Sequence, residues 1–363
     1  MRLALLVLGI GGVIATALLY AHDPDRIAVA MCASWWIGLT IAIGALGAVM
    51  TLNVSHATWF VVFRPITSSI AAVMPLLALG LVPAVLVAHR VYPWAGAEQG
   101  VPPEILERLA RTRPWMSPWP VYVRTLVSLG VWSTLAIWLH ARAETSRSRV
   151  VSGAGLPLLA ITATVTPFDW MMRVEPGWTS SIYGLYVAVS GFYGATGLIA
   201  IASYAALRDA KPDHFHAHGR LMLTAVCLWG YLGFFQLMLQ WIGDKPAEAG
   251  FWVRRGTGDW ATVATLLVVF HFVVPFFLLL SRPLKRSAGG LAAVGTLMVV
   301  MHLLDVGWLV IPSRSPSLYA SVIAPLCAVI GLGGAWIGWR FSRLSPIAIR
   351  DPDYPEGARY ESP

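Results

Sequence analysis

Long apolar runs dominate this sequence, and about 20 such residues are what an α-helix needs to cross about 30 Å of hydrocarbon. Ten can be marked out: Leu3 to Tyr20, Ile27 to Met50, Ile66 to His89, Pro120 to Ala141, Gly155 to Met172, Ser181 to Leu207, Leu221 to Ile242, Asp259 to Leu280, Leu291 to Ile311 and Leu318 to Phe341. In lipid every backbone N–H and C=O must be satisfied internally, so such runs fold as helices. The expectation is an all-α integral membrane protein of about ten transmembrane helices, a single polytopic domain over residues 1–363 with a polar tail at 344–363. Only 12% of the residues are charged, whereas soluble domains carry about 25%, which excludes an ordinary aqueous surface.

The net charge of +8 would suit nucleic acid in a soluble chain. Here Lys and Arg sit at segment ends, where they orient helices and meet anionic head groups. Arg142, Arg147 and Arg149, then Arg208, Lys211 and Arg220, Arg282, Lys285 and Arg286, and Arg340 with Arg343 all fall on the side of the termini, which places both termini in the cytoplasm. The first run is long for the apolar region of a cleaved signal and reads as a retained span. The longest polar connection, Arg90 to Pro118, holds a candidate surface helix at Ile105 to Arg111, with Trp94, Trp115 and Trp119 suited to a head-group belt. Cys32, Cys227 and Cys327 stand singly, so this chain alone holds neither a covalent haem nor a cysteine-ligated cluster.

Chemistry is to be sought among polar groups inside the spans. His302 and Asp305 are three apart and share a helix face, which lets a carboxylate hold a histidine for proton exchange. His271 precedes Pro275 by four residues, and the missing proline N–H frees a backbone carbonyl there. Tyr231, Gln236 and Gln240 are placed to extend a hydrogen-bonded file. The segment PFDWMMRVEPGWTSSIYGLY, from Pro167, sets Asp169, Arg173 and Glu175 at a span junction, either as part of a proton path or as a clamp in which Arg173 neutralises a carboxylate. The blander reading of each lone polar group is an interhelical hydrogen bond, and that of Gly44, Gly47, Gly191, Gly194, Gly197, Gly334 and Gly338 is close helix packing. His271 and His302 are also an axial pair for a b-type haem in principle. His214, His216 and His218 alternate like metal ligands, but without a fourth ligand a solvated loop is the expectation.

These motifs resemble the ActF family, the second NrfD-like membrane subunits of alternative complex III, a bacterial quinol:cytochrome c oxidoreductase. The likeness runs through PFDWMMRVEPGWTSSIYGLY, WGYLGFFQLMLQW from Trp229, HFVVPFFLLLSR from His271, HLLDVGWLVIP from His302 and the tail DPDYPEGARYE from Asp351. It implies an NrfD-like fold of two four-helix bundles, helices 2–5 and 6–9, flanked by helices 1 and 10, in a bacterial cytoplasmic membrane. It implies no cofactor bound by this chain, with quinone or quinol as a possible ligand, and haem c and iron–sulfur clusters in partners: a sister NrfD-like subunit, an iron–sulfur subunit and haem c subunits. The implied role is a proton translocation path, through Asp169, Tyr231, Gln236, His271, His302 and Asp305, coupled to quinol oxidation next door. The family commonly has histidine before Trp178 where this chain has Gly177, leaving Glu175 to serve a proton exit. The alternatives are an ion-coupled secondary transporter, or a quinol-binding or purely structural subunit.

Overall fold

The computed structural model describes residues 2–141, 145–207, 210–244, 246–314, 320–344 and 354–362. These residues are helical with no strand among them, and nine helices are long and apolar enough to cross a membrane, ten when one bent pair counts as a span. The spans are α1 (Arg2–His22), α2 (Pro24–Val54), α3 (Arg64–Leu79 with Leu81–Val91), α4 (Pro118–Ala141), α5 (Thr145–Asp169), α6 (Tyr183–Ala206), α7 (Pro212–Gly243), α8 (Gly258–Leu280), α9 (Ala288–Val310) and α10 (Ile323–Leu344). Arg142, Arg208 and residues 345–353 of the tail lie outside the described residues.

The centre of the molecule is the crossing of α2 with α6. A Cβ on Gly44 would collide with the Gly191 backbone, and one on Gly191 with the Thr40 carbonyl, so the paired glycines set how near the two backbones approach. Around that crossing α6 also touches α5, α7 and α9, while α1 lies against α10 across Gly9, Gly12 and Gly331 and leaves its other side exposed. Asp23 caps α2, its carboxylate accepting the Arg26 N–H at 3.3 Å, and Ser287 caps α9 by accepting the Gly290 N–H at 3.1 Å.

Four elements depart from the sequence expectation. Span α3 is bent by 58° rather than straight, and the interruptions near Ala72 and Gly80 expose carbonyls that indoles satisfy: Trp336 Nε1 donates to Ala72 O and Trp35 Nε1 to Leu77 O, each at 2.8 Å. Span α5 starts ten residues before the expected Gly155 and continues as helix through Pro167. Span α7 starts at Pro212, so His214, His216 and His218 are helical and buried instead of forming a solvated loop. Trp94 is buried against Tyr92 and Trp170 rather than lying in a head-group belt, whereas Trp115 and Trp119 are exposed as expected. The expected surface helix forms at Pro103–Arg111, and a second short helix, Pro246–Arg255, packs between α7 and α8 on the side opposite the termini.

Candidate functional site

Span α9 carries His302 and Asp305 inward, both fully buried, onto hydroxyls from α2 and α6. Ser190 Oγ donates to Asp305 Oδ2 at 2.5 Å and lies 3.0 Å from His302 Nδ1. Thr40 Oγ1 is 3.0 Å from His302 Nε2 and donates its own proton to the Trp36 carbonyl at 2.8 Å. Tyr186 Oη donates to Asp305 Oδ1 at 2.7 Å, and Trp229 Nε1 to Oδ2 at 3.3 Å. Gly194 makes the room: a Cβ there would stand 2.8 Å from the His302 ring.

Counting hydrogens shows what this file holds. Thr40 Oγ1 can give its proton to the Trp36 carbonyl, which puts a hydrogen on His302 Nε2, or turn it to Nε2, which puts the ring hydrogen on Nδ1. Ser190 has one proton to serve two acceptors, the carboxylate and His302 Nδ1. With the hydrogen on Nε2, both links close when the file holds one further proton, on Nδ1 with the carboxylate ionised or on Asp305 with the imidazole neutral; with it on Nδ1 they close without one. Turning the Ser190 hydroxyl interconverts the two states, and the proton passes between acid and base without leaving the interior.

His271 stands beside this file. Its ring is sandwiched between Tyr193 at 3.9 Å and Trp229 at 4.0 Å, and neither ring nitrogen has a hydrogen bond of normal geometry. The carbonyl freed by Pro275 finds a donor, because Tyr193 Oη–H bonds His271 O at 2.9 Å. With both His302 nitrogens taken by hydroxyls and both His271 faces covered by rings, no haem fits between the two imidazoles. Among the described residues no three His, Cys, Asp or Glu side chains converge on a metal position.

The remaining sequence candidates separate from the file. Asp169 is held by Arg124 from α4, Nε to Oδ2 and Nη2 to Oδ1, each at 2.9 Å. Arg173, expected as the neutralising cation, lies in the turn beyond the end of α5 within electrostatic reach of Asp169, but its Nε makes no hydrogen bond. Glu175 is paired with Arg254 and lies 3.9 Å from Arg255. Gln236 accepts the Ser180 hydroxyl at 3.1 Å and Gln240 the Trp178 indole at 2.9 Å, both tying α7 to the loop before α6. Tyr231 is 58% exposed on the outer face of α7 and takes no part in the file.

Sequence reasoning missed Thr40, Tyr186, Ser190 and Trp229, and also a far-side extension. The Tyr183 hydroxyl is buried without a hydrogen-bond partner, with Asp305 and Arg255 in electrostatic reach. Arg255 is 1% exposed and anchored on the carbonyls of Phe251, Trp308 and Leu309 and on Ser313 Oγ. Burial lowers its guanidinium to about 10, with Glu175 acting in the opposite direction, so it stays charged at neutral pH. An apolar cavity of about 850 Å³ between α7 and α8 reaches Tyr186, Trp229, Gln236 and Arg255 and opens past exposed Phe234 and Val268.

The fold and this buried acid–base file define a multi-pass, all-helical membrane protein. No family model matches the chain, and no curated protein matches it.

Proposed function

We propose that this chain is the proton-handling, NrfD-like membrane subunit of a bacterial quinol:cytochrome c oxidoreductase. In this reading α2–α5 and α6–α9 are its two four-helix bundles, the membrane is the cytoplasmic one, and haem c and iron–sulfur clusters reside in partner chains. The observation that carries it is the Asp305–Ser190–His302 file, buried between spans α6 and α9, which has room for one mobile proton. A buried acid and base linked by one hydroxyl suit proton exchange better than structure, since an interhelical bond contributes only about 0.6 kcal/mol on average. Tyr186, Tyr183 and Glu175 then lead toward the side opposite the termini, while His271 and Tyr193 continue the polar column inward.

The test uses the tagged chain in its native membrane. It is expected to co-purify with haem c and iron–sulfur subunits, and the Asp305→Asn complex to assemble yet release about tenfold fewer protons or less in vesicles. Normal proton release from that variant would sink the relay. Elution as a solitary protein that moves solute in liposomes would favour the secondary transporter.

A second reading, in which this chain itself binds quinol, is supported by the 850 Å³ cavity that meets Asp305 through Tyr186. A photoreactive quinone that labels residues of α7 and α8, and fails to do so after Gly233→Trp, would establish it.

A further inference from the structure

The connection between α8 and α9 and the start of α7 gather cations that outnumber the carboxylates among the described residues. Lys285 is 8% exposed because its stem crosses α7 at Gly219, where a Cβ would stand 2.7 Å from Lys285 Cγ. Arg220 and Arg282 lie in electrostatic reach of its ammonium, and all three in reach of the His216 ring. Among the described residues the carboxylate at hand, Asp213, is already held by Arg286 at 2.6 and 3.2 Å. Arg220 meets a neutral partner, the Tyr360 hydroxyl at 3.0 Å, and no ion pair of Lys285 or Arg282 is seen among the described residues. Burial, and after it the charges of Arg220 and Arg282, hold Lys285 below its ordinary value.

We propose that Arg220, Arg282 and Lys285 form a binding site for a phosphate group, filled by the headgroup of an anionic phospholipid in the leaflet on the termini side. The surface directly below favours the lipid form. Phe277 and Leu280, within two turns before Arg282, are 65% and 52% exposed, and Tyr204 is 62% exposed beside Gly289, so acyl chains have an apolar face to lie along. Arg supplies the planar fork that phosphate oxygens match, and Lys a point charge on its flexible stem. This site is independent of the proton file and stands whether or not the complex assignment does.

The full chain, delipidated in mild detergent, is titrated with phosphatidylglycerol, phosphatidylcholine and inorganic phosphate and read by native mass spectrometry. Phosphatidylglycerol is expected to bind in preference to phosphatidylcholine. Lys285→Gln and Arg282→Gln are each expected to weaken it about fivefold, the effect of removing one cation near a charged membrane surface. Arg343→Gln, on α10, is the control and should leave binding unchanged. Inorganic phosphate that binds alone, with the same loss in both variants, would keep the phosphate site but assign it to a soluble ligand. Equal binding of both lipids, or anionic-lipid binding unaltered in the monodisperse Lys285→Gln and Arg282→Gln proteins, would overturn it.

Discussion

Ser190 is the residue on which the proton file turns, because it alone touches both the carboxylate and the imidazole. Ser190→Ala leaves Asp305 and His302 facing each other across a gap, and a buried polar group so orphaned costs about 1–3 kcal/mol. The expected outcome is a lower unfolding midpoint in detergent together with loss of proton release, both partly rescued by Ser190→Thr, which restores a hydroxyl. If Ser190→Ala lost stability but released protons normally, the hydroxyl would be structural only. Gly194→Ala tests the same place from the other side. Its methyl group meets the His302 ring, and overpacking of this kind costs about 1–3 kcal/mol; a variant as stable as the parent would show that the ring has room to move.

Pairs of elements carry the charges that the file does not use. Arg124 on α4 and Asp169 on α5 are 20% and 2% exposed in their side chains, so removing one partner strands a mostly buried charge. Asp169→Asn or Arg124→Met alone is expected to destabilise the protein by about 3 kcal/mol, while Arg124→Met with Asp169→Leu recovers most of that loss. Thermal unfolding of the four proteins decides it, and a double variant as unstable as the singles would point to a role beyond clamping. The sequence made His302 and Asp305 legible because an acid and an imidazole stand out in an apolar run. Ser190 was not legible, since hydroxyls in such runs commonly satisfy themselves on the carbonyl four residues back, as Thr125 and Thr265 do here. Arg173 is the cation nearest Asp169 in sequence, yet the one that hydrogen-bonds the carboxylate, Arg124, is 45 residues away on a neighbouring helix. Tyr231 was misplaced by helix phase: Trp229, two residues earlier, turns inward, and the tyrosine faces out. Helix lengths erred where polar residues are themselves buried, as with the histidines that open α7.

At the scale of the whole molecule, topology rests on α3, since a re-entrant loop would change the parity of the crossings that follow. Its first residues lie near the termini side, where Gly357 of the tail presses on Val61 and Thr58. Its last residues lie on the other side: Arg90 pairs with Asp25 at the start of α2 at 2.7 Å, and Trp94 meets Trp170 just beyond the far end of α5 at 5.5 Å. The bent pair therefore crosses, and with ten crossings both ends of the chain share one side. Arg149, Lys211, Arg220, Arg282, Lys285 and Arg286 lie at span ends and in a short connection on that side, and we propose by the positive-inside rule that this is the cytoplasmic side. A green fluorescent protein fused after Pro363 is thus expected to fluoresce, and an alkaline phosphatase fused at Gly100, in the long far-side connection, to be active. With the N-terminus in the cytoplasm, an inactive phosphatase at Gly100 together with a dark C-terminal fusion would mean that α3 turns back within the layer. Glu175 and Arg255 would then share a compartment with the N-terminus, and the far-side extension of the proton file would have nowhere to lead.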